Sequence, residues 1–324
     1  GLNPRVVVLV IADNCSDHTA SIAREYGVKV VERTSDTLRG KGYALQHGLD
    51  HIRSAPPEVV IVLDADCTTT AADMHRLSHR CRSLSEPVQG IYLMHAPEGG
   101  GIGSKVAAFA WLVKTFVRPS GWRMWGNTSQ LMGSGFALPW KIAGTLDLAS
   151  GHIVEDMKLT LDLASQVHAP RFVTDVNVAS TFPSADRAQA TQRKRWEHGH
   201  LSMVMKDVPR AIYRAVRDGN RQLLSVALDL LVPPLSLLVM LLGTLGMLSV
   251  YQAVIQVPTF AGMAILGLVT SLIVAVGLAW FQWGRSVLSA WELAAIPVFM
   301  LRKLGVYATF FLRREKNWRR TDRD

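Results

Sequence analysis

Charge is missing from two long stretches of this 324-residue chain, and that absence does most to classify it. Neither 230–250 nor 259–280 contains an Asp, Glu, Lys or Arg. Each run is close to the ~20 apolar residues with which a helix crosses the hydrocarbon core of a bilayer. With 49% hydrophobic residues in the chain, two buried helices of a soluble core are the weaker reading. Cysteine is scarce. Cys15, Cys67 and Cys81 are odd in number and form no CxxC pair, so neither a disulfide framework nor a zinc site is indicated, and reduced cytosolic thiols are expected. No GxGxxG follows the strand-like runs, which excludes a dinucleotide turn, and "RGKGYA" has the wrong spacing for a phosphate loop.

Positive charge, by contrast, is in surplus. The formal net charge is +9. Arg210, Arg214, Arg217 and Arg221 precede the first apolar run, "FLRREKNWRRTDRD" follows the second, and the intervening "YQAVIQVP" is uncharged. Two crossings with both basic flanks in the cytoplasm satisfy the positive-inside tendency, and those flanks suit anionic headgroups. Nucleic acid is not expected as a partner, because the charge brackets the apolar runs instead of forming one face.

Residues 1–95 alternate in pattern. "VVVLVIA" reads as a buried strand, "SDHTASIAREYG" as a helix, "VKVV" as a strand, "GKGYALQHGLDHIR" as a helix and "VVIVLDADC" as a third strand. That order predicts a parallel sheet covered by helices, with ligands at the carboxyl ends of the strands. "ADN" (12–14) and "DAD" (64–66) would then share one mouth. Because "RVVVLVIADN" begins almost at once, an N-terminal portion is expected to precede this chain. Further on, "KVAAFAWLVKTFV" suits a core or interfacial helix, "LMGSGFALPW" a strand with tight backbone approach, and "VEDMKLTLDLA" a helix. A long amphipathic helix is expected from Arg187 to Arg221, and an interfacial helix after the spans.

Asp64 and Asp66 flank a small residue at a strand end, a pair able to grip a hard divalent cation, although strand ends often carry Asp merely as a turn residue. Asp13, ending the first strand, adds an acidic group from a second strand end. Glu155 and Asp156 open a helix, where acidic residues usually just meet the helix dipole; beside a cation and a sugar, one can act as a general base. "QRKRW" offers guanidiniums for phosphate oxygens and an indole face for a sugar ring, or else a solvated basic face. His198 and His200 could line the same phosphate-binding face or simply decorate that helix, and the second is the expectation.

The order of these signals is the specific feature. A strand ending in DN, then GKGYAL, LDAD, GSG, VED and QRKRW before apolar spans resembles the membrane-bound family 2 glycosyltransferases, the group of the cellulose, hyaluronan and poly-N-acetylglucosamine synthases. The resemblance implies the α/β GT-A fold, a Rossmann-like mixed sheet with helices on both faces, followed by a transmembrane helical region. It implies a nucleotide-sugar site of Asp13, Lys41, Asp64, Gln192, Arg193 and Arg195, and a metal site for Mg2+ or Mn2+ at Asp66 and Asp64. It further implies Asp156 as catalytic base and an acceptor site at Gly133, Ser134, Gly135 and Trp196. The family's first strand, with its proline-and-asparagine/glutamate signature, has no counterpart here.

The implied activity is inverting transfer from a nucleotide-diphosphate sugar, UDP-linked in the simplest case, to a saccharide at the cytoplasmic membrane face, serving exopolysaccharide or cell-surface polysaccharide synthesis. Single transfer to a lipid-linked acceptor is the alternative. The implied organisation is a cytosolic catalytic domain over 1–200, an amphipathic interfacial helix over 201–222, two spans within 223–281, and an interfacial helix with a basic tail over 282–324. An integral protein of a bacterial inner membrane is expected. Its partners would be a glycan or lipid-linked acceptor, membrane lipids and, for export, further subunits. A non-catalytic scaffold would have no need of DAD, ED and QRKRW together. A transporter is disfavoured because only Asp229 lies near the spans.

Overall fold

A computed structural model describes residues 6–257 and 259–296. The N-terminal part alternates as the sequence pattern requires: β1 (Leu9–Asp13), α1 (Thr19–Glu25), β2 (Lys29–Arg33), α2 (Lys41–Ile52) and β3 (Val59–Val62). β1 and β2 pair in parallel. The expectation of one parallel sheet stops there. β3 pairs antiparallel with a much later strand, and among the described residues no ladder joins it to β1. A continuous Val/Ile run shows that a strand is buried on both faces; it does not say which strand lies beside it.

The rest of the catalytic half builds a mixed sheet. After β4 (Thr68–Thr69) come α3 (Ala71–Leu84), β5 (Val88–His95) and α4 (Ile102–Leu112). A π-helical turn, Val113–Val117, leads into α5 (Arg118–Gly126), then β6 (Phe136–Pro139), α6 (Trp140–Ala143), α7 (Glu155–Ser165) and β7 (Arg171–Thr181). The five-stranded sheet runs β3-β6-β5-β7-β4, with only β5 and β7 parallel. Leu77, Cys81, Val88, Ala137 and Val176 are buried between α3 and this sheet, while Leu131, Leu138, Ile142 and Leu163 fill the space beyond β3 and β6. Both sets exclude water on the scale of ~1.5–3 kcal/mol per large side chain.

One long helix, α8 (Asp186–Arg217), then packs against α7 and against α9 (Arg221–Leu231). Met203, Val208, Ala211 and Ala215 of α8 meet Leu223, Val226 and Leu230 of α9, so the apolar face of its second half lies in the core. Leu230 thus belongs to this core, and the first apolar helix starts only after Pro233 and Pro234. α10 (Leu235–Val254) and α11 (Phe260–Ala279) follow; a second π-helical turn, Trp280–Gly284, extends α11. These are two helices long and apolar enough to cross a membrane. α12 (Ala290–Ala294) ends the described part, and the interfacial helix and basic tail expected at the C-terminus lie largely outside it.

Candidate functional site

The site lies where the bend before β6 faces the first turn of α7 and the first third of α8. Two glycines make the bend. Gly133 and Gly135 have φ of 84° and 70°, a region that L side chains rarely adopt. The buried amide of Gln89 fixes it from behind: its Nε2 donates to Ser134 O at 2.9 Å, and its Oε1 accepts from Met132 N at 2.9 Å. Ser134 is fully buried, its Oγ accepting from Asp64 N at 3.0 Å. Its hydroxyl therefore holds the end of β3, while Gly133 faces the cavity.

Lys41, at the start of α2, ties these pieces together. Its Nζ pairs with the Asp64 carboxylate and donates to Gly133 O at 2.7 Å. Burial works against the Lys41 charge, but Asp64, with Glu155 and Asp156 behind it, outweighs this and raises its pKa. A Cβ on Gly133 would lie 3.7 Å from Asp156 Oδ2, which shows how close the α7 carboxyl comes to the bend. Asp156 and Glu155 are both pushed above the ordinary carboxylate range by burial, Glu155 to about 7 with the Asp156 charge adding to it. Lys114 in the π turn and Lys41 partly offset the shift at Asp156.

A glycine also brings α8 to this point. A Cβ on Gly199 would fall 2.5 Å from Val154 Cγ1, so any larger residue would hold α8 away from the start of α7. One cavity of about 190 Å³ results, lined among others by Lys41, Asp64, Gly133, Asp156, Gln192, Arg195 and Trp196. Gln192 is 2% exposed, and its Oε1 has no hydrogen-bond partner among the described residues. A buried acceptor left unmet beside a cavity points to a ligand donor or water there. Trp196 lies tilted on Trp111, ring centroids 5.0 Å apart, so one of its faces is already covered.

Some predicted residues lie apart from this cavity's lining. Asp13 ends β1 in a 2.6 Å ion pair with Arg33, beside Asn14, whose Oδ1 accepts from Ser35 N at 2.8 Å. Arg193 lines a second cavity of about 160 Å³ with Trp196, Glu197, His200, Pro233, Pro234 and Leu235. Asp66 accepts from Ser180 Oγ at 2.9 Å. Ligand atoms of Asp64, Asp66 and Cys67 fall within 4.8 Å of one another. Burial pushes the Cys67 thiol up, and its Sγ sits 3.2 Å from Ser134 Oγ. That leaves a carboxylate pair beside a protonated thiol, a donor set suited to a hard cation such as Mg2+ or Mn2+.

The histidines correct an expectation. His198 and His200 are 1% and 4% exposed and do not decorate the helix surface. Burial holds His200 neutral, its pKa lowered to about 3, and its Nε2–H donates to Leu230 O at 2.9 Å, pinning α8 to the end of α9. Sequence reasoning missed Trp111, Lys114 and Tyr92 as wall residues of the larger cavity. It also missed the buried pair between Arg118 and Asp229, Nε to Oδ1 2.7 Å, which Gln130 joins. A lone lysine in "AWLVKTFV" was the only available signal for Lys114.

A family model described as glycosyltransferase-like family 2 matches residues 1–199. Among solved structures, the chain is similar to the mannosyltransferase PcManGT from Pyrobaculum calidifontis, determined in complex with GDP-Man and Mn2+. The two are 15% identical, with a TM-score of 0.48, over 95% of this chain and 79% of that one. No curated protein matches the chain. With its mixed sheet, its covering helices and a family match over more than half its length, the chain belongs to glycosyltransferase family 2 and is a glycosyltransferase of GT-A-like fold.

Proposed function

We propose that the chain is an inverting transferase that moves a sugar from a nucleotide-diphosphate sugar, UDP-linked in the simplest case, to a saccharide at the cytoplasmic face of a membrane. The product would be an exopolysaccharide or other cell-surface polysaccharide. The observation that carries this is the convergence of Asp64, Asp156, Gln192, Arg195 and Trp196 on one cavity. The reaction demands a base for a poorly nucleophilic hydroxyl and positive charge for the departing diphosphate. Asp156 takes the acceptor proton as the new bond forms. Arg195 and the Gln192 amide meet the diphosphate, helped by Arg193 from the adjoining cavity. The free face of Trp196 carries the acceptor sugar beside Gly133, within the 133–135 bend whose Ser134 and Gly135 shape it from behind. Asp13 addresses the nucleotide base, and Lys41 orients Asp64. Asp64 and Asp66 hold Mg2+ or Mn2+, which when bound supplies further charge to the leaving group.

In this reading residues 1–200 form the catalytic unit, 201–222 the link to the membrane, 223–281 the part that holds both spans, and 282–324 a surface helix and basic tail. The setting is a bacterial inner membrane, with lipids and export subunits as partners. A second reading, one addition to a lipid-linked acceptor, is favoured by the second cavity, which reaches from Trp196 to Pro233, Pro234 and Leu235 at the foot of α10.

A panel of nucleotide sugars tests both readings. Metal-dependent release of the nucleoside diphosphate with one donor, accompanied by sugar incorporation, is the expected outcome. A ladder of long products supports polymer synthesis, and a single product that extracts with lipid supports the second reading. No release with any donor, in membranes or detergent, would overturn both.

A further inference from the structure

Lys114 lines three cavities and is unaccounted for by the roles above. It shares a closed space of about 20 Å³ with Asp156, Gln130 and Asp229, the 190 Å³ cavity with Asp156 and Trp196, and the 160 Å³ cavity with Trp196 and Arg193. It sits in the π-helical turn Val113–Val117, and such turns recur at functional positions because they re-aim a side chain within a helix. Its Nζ lies 5.1 Å from the Trp111 ring centroid, and Trp111 in turn stacks on Trp196. Among the described residues it makes no ion pair and no hydrogen bond. The half-buried lysine thus has the Trp111 face beneath it and no fixed counter-charge, and its ammonium is left facing the cavities.

The neighbouring charges show what it faces. From α7 comes Asp156, from α9 Asp229, from α5 Arg118, and from α8 Glu197 with the neutral His200. Around Asp156 stand Glu155 on its own helix, Lys41 of α2, Arg195 of α8 and Lys114. Lys41 is already engaged by Asp64 and Gly133. Unlike Lys41, Lys114 makes no ion pair among the described residues, and it shares both the 20 Å³ space and the 190 Å³ cavity with Asp156. Burial lowers the pKa of Lys114 and raises that of Asp156; each is the largest opposing charge on the other.

We propose that Lys114 is a positioning residue for the transfer reaction, holding Asp156 as the carboxylate and fixing the Trp111–Trp196 stack beside it. This rests on Asp156 being the base. Without the ammonium the carboxyl would protonate at higher pH, and fewer molecules would carry a competent base at neutrality.

The test uses the full chain in membranes or detergent. Lys114→Met keeps the apolar stem over Trp111 and removes the charge; Lys114→Gln is the second uncharged variant should Met disturb folding, and Lys114→Arg restores the cation. The expected result is an acid limb of kcat moved up by about 1–3 pH units in both uncharged variants, the scale of losing one close opposite charge. Donor KM should hold, and Lys114→Arg should return the limb toward wild type. A rate loss with an unmoved acid limb, a parallel rise in donor KM, or no change at all would overturn the proposal. Asp156→Asn separates the two ideas. If that variant is inactive while the Lys114 variants keep the wild-type limb, only the Lys114 inference fails. If it transfers at the wild-type rate, the base assignment itself is wrong.

Discussion

The cavity between α7 and α8 and the hairpin of α10 and α11 use exposure in opposite ways. Around the cavity, polar groups are withdrawn from water: Gln192 and His198 are nearly inaccessible, and Asp229 is buried against Arg118. Along the hairpin, apolar groups are left outside: only 11% and 6% of the two apolar windows are buried, and Leu241, Leu245, Leu248 and Ile273 stand exposed. Buried polar groups are costly unless something meets them, and large exposed apolar faces are costly in water. The first region therefore suits a polar ligand, and the second is long and apolar enough to cross a membrane. His200 and Pro233 bring the two within reach of one cavity, the arrangement that the proposed acceptor at a membrane requires.

The comparison can be broken at either end. Arg195→Ala should have the largest effect, a loss of about 10²–10³-fold in kcat, as for removing one donor from a preorganised charge site. Steady-state kinetics with the identified donor would read it; an unchanged kcat would take the diphosphate away from this wall. At the hairpin, Leu245→Lys places a charge mid-helix. Insertion should become less favourable by about 3–4 kcal/mol, seen as protein lost from the membrane fraction, if lipid is the solvent there. Equal partition of wild type and variant would mean that a partner protein covers the helix. Ser180→Ala removes the hydroxyl that holds Asp66 and should weaken metal activation by about 10–100-fold with little change at saturating metal. A metal titration of activity reads that difference.

Sequence patterns exposed the two regions unequally. The apolar runs, the β1-α1-β2-α2-β3 order and the start of α7 were legible because local apolar period and the acidic first turn of α7 mark them. The antiparallel partner of β3 was not, since Phe136–Pro139 reaches it only through the fold. β5 and β7 were missed: Gly90 interrupts one with a bulge, and the polar alternation of "RFVTDVNVAST" hides the other. Cavity residues such as Asp64, Asp156 and Trp196 were visible through their motifs. Lys114 was not, because a lone lysine in the apolar run before α5 belongs to no motif; nor was the burial of His198 and His200, because a helix face that looks basic in sequence lies against α7 and α9 in space. Gly199 was the available clue, a small residue where two helices must touch.

The central claim is that Asp156 serves as base for sugar transfer within this cavity, and one substitution bears on it most directly. Asp156→Asn removes the proton acceptor with almost no change in shape. The account predicts a fall of about 10²–10⁴-fold in transfer rate with nucleotide-sugar binding retained. Transfer at the wild-type rate by that variant would contradict it.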